Sequence, residues 1–421
     1  MTEKLLQFIW QFQYFKTVAL QTTTGDVLEI TKQGSINHHQ GPDFLNASIK
    51  VSGLQLIGNI ELHTHSSHWK KHAHNTDKNY NNVILHVVWI NDEQIVEQIP
   101  TLELQHLVPK ILLQKYNFLM LQDEKIPCNS FLPALSEIGW MSWKERLVAE
   151  RLTIKSEEIL NSFKENNNNW EETFWQQLAF NFGLKVNADF FKLIAISLPI
   201  NILAKNKNQL NLLEALLFGQ ANLLNKKSNS SYGIKLKKDY EYLKKKYQLK
   251  TINGSAYFLR MRPSNFPTIR LAQLAALISN STHLFSQIKT SKNIQELKNL
   301  FRICCSEYWN THYTLEDEES VFKVKNIGEK MIDLIIINTI TPMLFAVAHY
   351  FQDDIMKTKA IQWLQEIKAE DNSTIQTWKS NKIEAKSAFD SQALLQLSKL
   401  YCIEKKCLQC AVGASILKTK I

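Results

Sequence analysis

The sequence predicts an α+β protein: a small mixed β-sheet with flanking helices over residues 1–110, then a large, mostly α-helical region over residues 111–421 that ends in a cysteine segment. Three observations predict it. Residues 44–51 alternate Ala47, Ile49 and Val51 with polar neighbours, the mark of a half-buried strand, and residues 83–90 are apolar on both alternating sides, as a central strand is. From Leu112 the apolar residues fall at helical spacing instead, most clearly in the stripe Leu147, Val148, Leu152, Ile159, Leu160 and Phe163. A chain of 421 residues with 44% hydrophobic content also exceeds what one core usually holds, about 250–300 residues.

Taken in order, Leu5, Leu6, Ile9, Trp10 and Phe12 recur at near-helical spacing, so residues 3–16 open the fold as a helix. Gly25-Asp26 is a turn signal, and residues 27–30 after it read as a strand carrying Glu29. A loop over 34–41 leads into two strands, 44–51 and 54–62, that meet at Ser52-Gly53. Residues 66–80 are polar, with a short helix around Trp69, and 95–104 adds one more strand. The helical region holds a polar loop over 165–169, a helix over 206–217 with Glu214 among apolar neighbours, a lysine-rich run over 226–250 interleaved with Tyr240, Tyr242 and Tyr247, and a helix over 268–279. The sequence contains no internal repeat of fixed period.

Forty-nine basic against forty acidic residues give a net charge of +9. That balance suits a nucleic acid or another polyanion, although an even spread of lysines accounts for the same number. Residues 1–15 are broken by Glu3, Lys4 and several glutamines, the pattern of an amphipathic helix and not of a signal peptide. The longest apolar stretch, 331–350, contains Asp333, Asn338 and Pro342 and reads as a buried helix pair, not a membrane span. Six cysteines without disulfide-like spacing point to reduced thiols in a cytoplasmic protein with no membrane partner.

The chemistry concentrates in Gly41-Pro42-Asp43-Phe44 and Asn59-Ile60-Glu61-Leu62-His63-Thr64-His65. Asp43 at the start of one strand and Glu61 near the end of the next meet across a hairpin if the register cooperates. A three-residue loop of Val51, Ser52 and Gly53 places Asp43 opposite Glu61, whereas a two-residue Ser52-Gly53 turn places it opposite Leu62. Such carboxylates hold Mg²⁺ or Mn²⁺, which takes oxygen ligands and activates water against a phosphodiester. A rival set is His63, His65, His68, His72 and His74 with Asp77, since imidazoles with one carboxylate make a catalytic zinc site. The plainer reading leaves His68, His72 and His74 in solvent and makes His86 a hydrogen-bonded core residue.

Pro42-Asp43 and Glu61-Leu62-His63 resemble the PD-(D/E)xK nuclease superfamily, in which Pro-Asp at a strand start is followed by an acidic-x-Lys triplet on the neighbouring strand. The resemblance covers the chain up to the strand at 95–104. It implies a restriction-endonuclease-like fold, with Asp43, Glu61 and the carbonyl of Leu62 as metal ligands and Glu29 as an additional acid. His63 stands where lysine is usual, and a neutral imidazole orients water only by accepting a proton or binding metal. The chain as a whole resembles an uncharacterised bacterial family, domain of unknown function 2851, through Gly41-Pro42-Asp43-Phe44, Gly58-Asn59-Ile60-Glu61-Leu62-His63, the strand at 83–88, residues 260–267 and the terminal cysteines. That resemblance implies no activity.

Cys402-x4-Cys407-x2-Cys410 offers three thiolates for zinc or an iron–sulfur cluster, with Cys128 after Pro127 as the fourth, although free cysteines are commonly small core residues. One early cysteine with a late trio is similar to CRISPR-associated exonucleases and the nuclease subunits of recombination helicase-nucleases, where the cluster staples the domain ends. Here Cys128 follows the motif strands instead of preceding them. Arg260, Arg262 and Arg270, around Pro263 and Pro267, either contact nucleic-acid phosphates beside a helix start or form internal salt bridges.

Three functions are therefore open. The first is a metal-dependent nuclease-like protein acting on DNA or RNA through Asp43, Glu61 and His63. The second is a non-catalytic nucleic-acid-binding or scaffold protein, and the third a zinc-dependent hydrolase built on the histidines. A basic groove at the acids favours the first, an occluded acidic pair the second, and converging imidazoles the third.

Overall fold

The structure, a computed structural model, describes residues 1–418 apart from 38, 75, 95–98, 226–229, 282 and 317. It is α+β, with a mixed sheet first and helices after it. The strands are β1 (Leu20–Gln21), β2 (Val27–Lys32), β3 (Ser35–Ile36), β4 (Phe44–Val51), β5 (Leu54–His65), β6 (Val83–Ile90) and β7 (Thr101–Glu103). They run in the order β1-β2-β4-β5-β6-β7, with β3 also on β4. The pairs β5–β6 and β6–β7 are parallel and the others antiparallel. Thr23 N–H donates to the Thr101 carbonyl at 2.8 Å, next to β1 on one side and within β7 on the other, so the sheet nearly closes.

The two-residue strands β1 and β3 carry no periodicity and were not expected. Residues 95–98 of the expected strand 95–104 lie outside the described residues, and its described part pairs only over β7. The opening helix α1 (Glu3–Gln11) is capped by Thr2, whose Oγ1 accepts from Leu5 N–H, and buries Leu5, Leu6, Phe8, Ile9 and Trp10. It stops short of residue 16 because Gln13 takes a left-handed conformation, φ +51°.

The hairpin register is decided in two steps. Ser52 and Gly53 both have positive φ, +47° and +85°, and join β4 to β5 as a two-residue turn with Val51 opposite Leu54. Continued unbroken, this register would set Asp43 opposite Leu62. A bulge between Phe44 and Ala47, with Asn46 at φ +57°, shifts the pairing so that Phe44 faces Ile60. Asp43 therefore stands opposite Glu61.

The chain divides into two compact units. One comprises Met1–Trp143, Gln376–Glu384 and the residues from Leu395 on; the other comprises Lys144–Ile375 and Ala385–Leu394. The cut expected at residue 110 falls where α3 (Lys110–Leu121) begins, inside the first unit. That unit also takes in the cysteine segment: Lys405 Nζ donates to the Met120 carbonyl (2.8 Å), Lys115 Nζ to that of Ile416 (3.0 Å) and Ser415 Oγ to that of Ala134 (2.7 Å).

In the helical region the helix expected over 206–217 is two, Ile200–Asn206 and Leu210–Gln220. Asn206 is the last residue of the first, its amide held by the Ile202 carbonyl and Tyr247 Oη. The apolar stretch 331–350 is one helical run, Glu329–Phe351, and 78% of its most apolar window is buried within the protein. It widens over Ile336–Ile340 ahead of Pro342, whose missing N–H would have bonded the Asn338 carbonyl; the Asn181 amide takes that carbonyl instead at 3.3 Å. The lysine-rich run forms the helix Ser231–Tyr247, which buries Leu236, Tyr240 and Leu243.

Two predictions test this packing. A Cβ at Gly58 would lie 2.4 Å from the Asn82 carbonyl and 2.5 Å from Ile84 Cγ2, so Gly58→Ala should cost about 1–3 kcal/mol in urea unfolding. The second concerns Glu214, wholly buried, which accepts from Ser306 Oγ (2.9 Å), Trp309 Nε1 (3.2 Å) and Tyr232 Oη. Burial outweighs these donors and pushes its carboxyl up to about 7. The folded state then holds a proton that the unfolded chain releases above its ordinary value near 4.5. Stability should fall by about 3 kcal/mol as pH rises from 4.5 to 7, and Glu214→Gln should flatten that dependence.

Candidate metal centre

Strand alternation puts Glu61 and His63 on one face of β5, and β6 supplies His86, in register with Glu61. The other groups come from the crossover between these parallel strands. Its start is anchored by Asp92, which accepts from Ser66 Oγ (3.0 Å), Ser67 N–H (3.0 Å) and Ser67 Oγ (2.8 Å) and is held down to about 2 by those bonds. A single helical turn, α2 (His68–Lys71), follows, and its Trp69, 2% exposed, sets its indole against the rings of His63, His74 and His86. Ala73 at φ +56° turns the chain back, so that His72 and His74 both face His63. Asp77 then caps the short turn Lys78–Tyr80 through Asn79 N–H (2.9 Å), and Tyr80 stacks on His74 with ring centroids 3.8 Å apart.

One ligand nitrogen from each of His63, His72 and His74 lies within 4.8 Å of the other two. His63 Nε2 is 3.2 Å from His72 Nδ1, and Glu61 Oε1 stands 3.6 Å from His63 Nε2 and 3.5 Å from His74 Nε2. Among the described residues, His74 Nε2 is buried without a hydrogen-bond partner. On its other side His63 Nδ1 meets His86 Nε2 at 2.9 Å. If His63 donates from Nδ1 to His86, its Nε2 lone pair is left pointing at His72 and Glu61. An orphaned imidazole nitrogen, a second one freed by tautomer and a carboxylate oxygen together fit a metal ion of the zinc type.

Asp43 braces this centre from the facing strand. Its N–H donates to Glu61 Oε2 (3.1 Å), while its own oxygens accept from Leu62 N–H (3.0 Å) and Gln7 Nε2 of α1 (2.7 Å). Burial pushes both carboxyls up, and Glu61 further through the neighbouring Asp43. Burial, then the crowd of imidazoles, pushes His63 down to about 2; burial and His74 take His86 down to about 3. Tyr80 is pushed up to about 12, by burial first and then by the two acids. The pocket thus favours an uncharged Glu61 beside uncharged imidazoles, the state from which a cation draws out carboxylate and free ring nitrogen.

Asp43, Glu61 and His63 come together as expected from the sequence. Glu29 does not: it is exposed, opposite Lys50 at 3.7 Å, and Lys50 pairs with Gln55, six residues or about 20 Å along β5 from Glu61. Of the wider histidine set, His65 and His68 lie outside the close trio and Asp77 serves as a cap. His74 is buried, not solvated, and His86 is the bonded core histidine expected. His63, 1% exposed and between two imidazoles, is not placed as a free water-orienting lysine would be. Arg270 is buried and donates to Gln273 (2.8 Å) and Asn265 (2.5 Å), neutral amides and not the salt-bridge partners of the internal alternative, while Arg260 and Arg262 are exposed. Gln7, Trp69 and Tyr80 were not singled out from sequence; the only signal for the last two was their place in a histidine-rich loop between strands.

A family model described as a protein of unknown function, DUF2851, matches residues 3–373. No curated protein and no solved structure matches the chain. The matched span contains the whole sheet and both the acidic pair and the imidazole trio, and ends before Cys402. The chain belongs to the DUF2851 family.

Proposed function

We propose that the protein is a metal-dependent hydrolase whose ion is held by His63, His72, His74 and Glu61, with phosphodiesters of DNA or RNA as the substrate class. The observation that carries this reading is the convergence of three imidazole nitrogens on the Glu61 carboxylate, one of them orphaned. Such an ion supplies a bound water of lowered pKa and a Lewis acid for the phosphoryl oxygen. Glu61 orients His63 and His74, Asp43 holds Glu61 through its backbone N–H, and Trp69 keeps water from the inner side. His72 is exposed and marks the side from which substrate enters. The net charge of +9 favours a polyanionic substrate.

A second reading, a Mg²⁺ nuclease of restriction-endonuclease-like fold, is favoured by the bulge that sets Asp43 opposite Glu61. Both oxygens of Asp43 are already engaged, which weighs against it.

Metal uptake and hydrolysis of bis(p-nitrophenyl) phosphate, DNA and RNA test the two together. On the first reading wild type takes up zinc or cobalt, and His72→Ala removes about one equivalent and abolishes cleavage while the fold persists. His63→Lys should do the same, whereas the Mg²⁺ reading expects that variant to keep or raise activity. Cleavage that needs Mg²⁺ and Asp43 but survives His72→Ala would replace the first reading by the second. Equal metal uptake by wild type and His72→Ala, with no cleavage by either, would leave a non-catalytic scaffold.

A further inference from the structure

We infer that the outer face of the helix Ser231–Tyr247 binds single-stranded nucleic acid, with Lys235, Lys238, Lys245 and Lys246 on its phosphates and Tyr242 under a base. Residues 231–250 carry seven lysines against Asp239 and Glu241, so five of the chain's nine net positive charges fall on twenty of its 421 residues. The lysines are therefore not evenly spread. A concentration of this kind is the electrostatic footprint of a polyanion site.

The inner face fixes which side chains turn outward. Leu236, Tyr240 and Leu243 are buried, and the helix packs on Leu210–Gln220, where a Cβ at Gly219 would lie 2.1 Å from the Tyr240 ring. Asn211 Nδ2 donates to Asp239 (3.2 Å), Asn206 Nδ2 to Tyr247 Oη (3.0 Å), and Tyr232 Oη to Glu214. Three of the helix's four tyrosines thus serve the core, and Tyr242, 64% exposed, does not. Lys235, Lys238, Tyr242 and Lys245 follow one another at three or four residues and form one exposed row, about 15 Å long, the length of about four stacked nucleotides. Lys246 stands beside it, with Nζ 5.9 Å from the centroid of the Tyr242 ring.

Helix stability accounts for only part of this charge. Lys244, Lys245 and Lys246 lie in the last turn and complement the helix dipole. Lys235 and Lys238 lie in the second and third turns, where the dipole gives them nothing and like charges three residues apart repel. Among the described residues no carboxylate forms an ion pair with any of the seven lysines. An anionic membrane is the other polyanionic surface, but a helix lies on a bilayer through its apolar face, and here that face is buried within the protein. A duplex hides the faces of its bases. A row of lysines around an exposed ring suits a strand whose bases are open to stack.

The inference stands apart from the hydrolase reading, and its experiment measures binding alone. Fluorescein-labelled oligothymidylate and oligouridylate of about 20 nucleotides are titrated with full-length His72→Ala protein in EDTA, so neither cleavage nor a metal at the imidazoles enters. Both should bind more tightly than a duplex of the same length, with log K falling against log salt at a slope of about −3; a preference for either says whether DNA or RNA is the natural partner. Lys235→Gln/Lys238→Gln/Lys245→Gln should weaken binding about 100-fold at 0.1 M salt and flatten the slope to about −1. Tyr242→Ala should cost about 5- to 100-fold and Tyr242→Phe almost nothing. Lys16→Gln/Lys110→Gln/Lys379→Gln removes the same charge elsewhere and should leave affinity nearly unchanged. Every substituted side chain is exposed, so the variants keep the fold. No binding, an equal loss in the two triple variants, or a duplex bound as tightly with Tyr242→Ala silent would overturn the inference. Binding to phosphatidylserine vesicles in place of the oligonucleotides would overturn it in favour of a membrane.

Discussion

Two parallel strands cannot be joined by a tight turn, and the parallel pairing of β5 with β6 is the constraint from which the candidate site follows. The chain leaving His65 must return as far as Asn59, the partner of Val83, before β6 begins. The crossover that does so carries Trp69, His72, His74 and Tyr80 back over the strand from which Glu61 and His63 project. Had β6 run antiparallel, a short turn would have sufficed and the imidazoles would have had no reason to stand over the acids. Asp92 fixes where the crossover leaves the sheet, and the stack of Tyr80 on His74 fixes where it comes back.

The same arrangement sets the electrostatics. A buried carboxyl is pushed up and a buried imidazole down, so Glu61 and His63, 3.6 Å apart, do not settle as a simple ion pair. An ion pair would have been the cheap way to bury them, and the extra imidazoles of His72, His74 and His86 make it costlier because each opposes positive charge on His63. The residues are an inefficient way to build a core, and on the metal reading proposed above a cation reverses each of these preferences.

Much of this was legible in the sequence, and the parts that were not share a cause. Period-2 and period-3.6 patterns located β4, β5, β6, α1 and the stripe of the long helix Glu137–Glu165, because burial on one face leaves its spacing in the residues. The pairing of Asp43 with Glu61 was legible only as an alternative: the turn at Ser52-Gly53 has the two-residue geometry that forbids it, and the bulge at Asn46 restores it. Asparagine tolerates the left-handed region better than most residues, but a single one within an alternating strand does not locate a bulge. Glu29 was misplaced for a related reason, since local pattern gives a strand but not how far along its neighbour a side chain will fall. The choice of His63, His72 and His74 from five histidines needed the turn at Ala73, which is likewise a conformation and not a composition.

The opening helix ties the acid pair to the C-terminal segment. One side of α1 reaches the acid pair through Gln7, whose amide fixes Asp43 and through it Glu61, and α1 also packs against the turn Cys407–Gln409. Asp43, and with it the carboxylate opposite, is therefore positioned twice: by the bulge at Asn46, which sets the register, and by α1, which packs both on β5 and on a turn of the C-terminal segment.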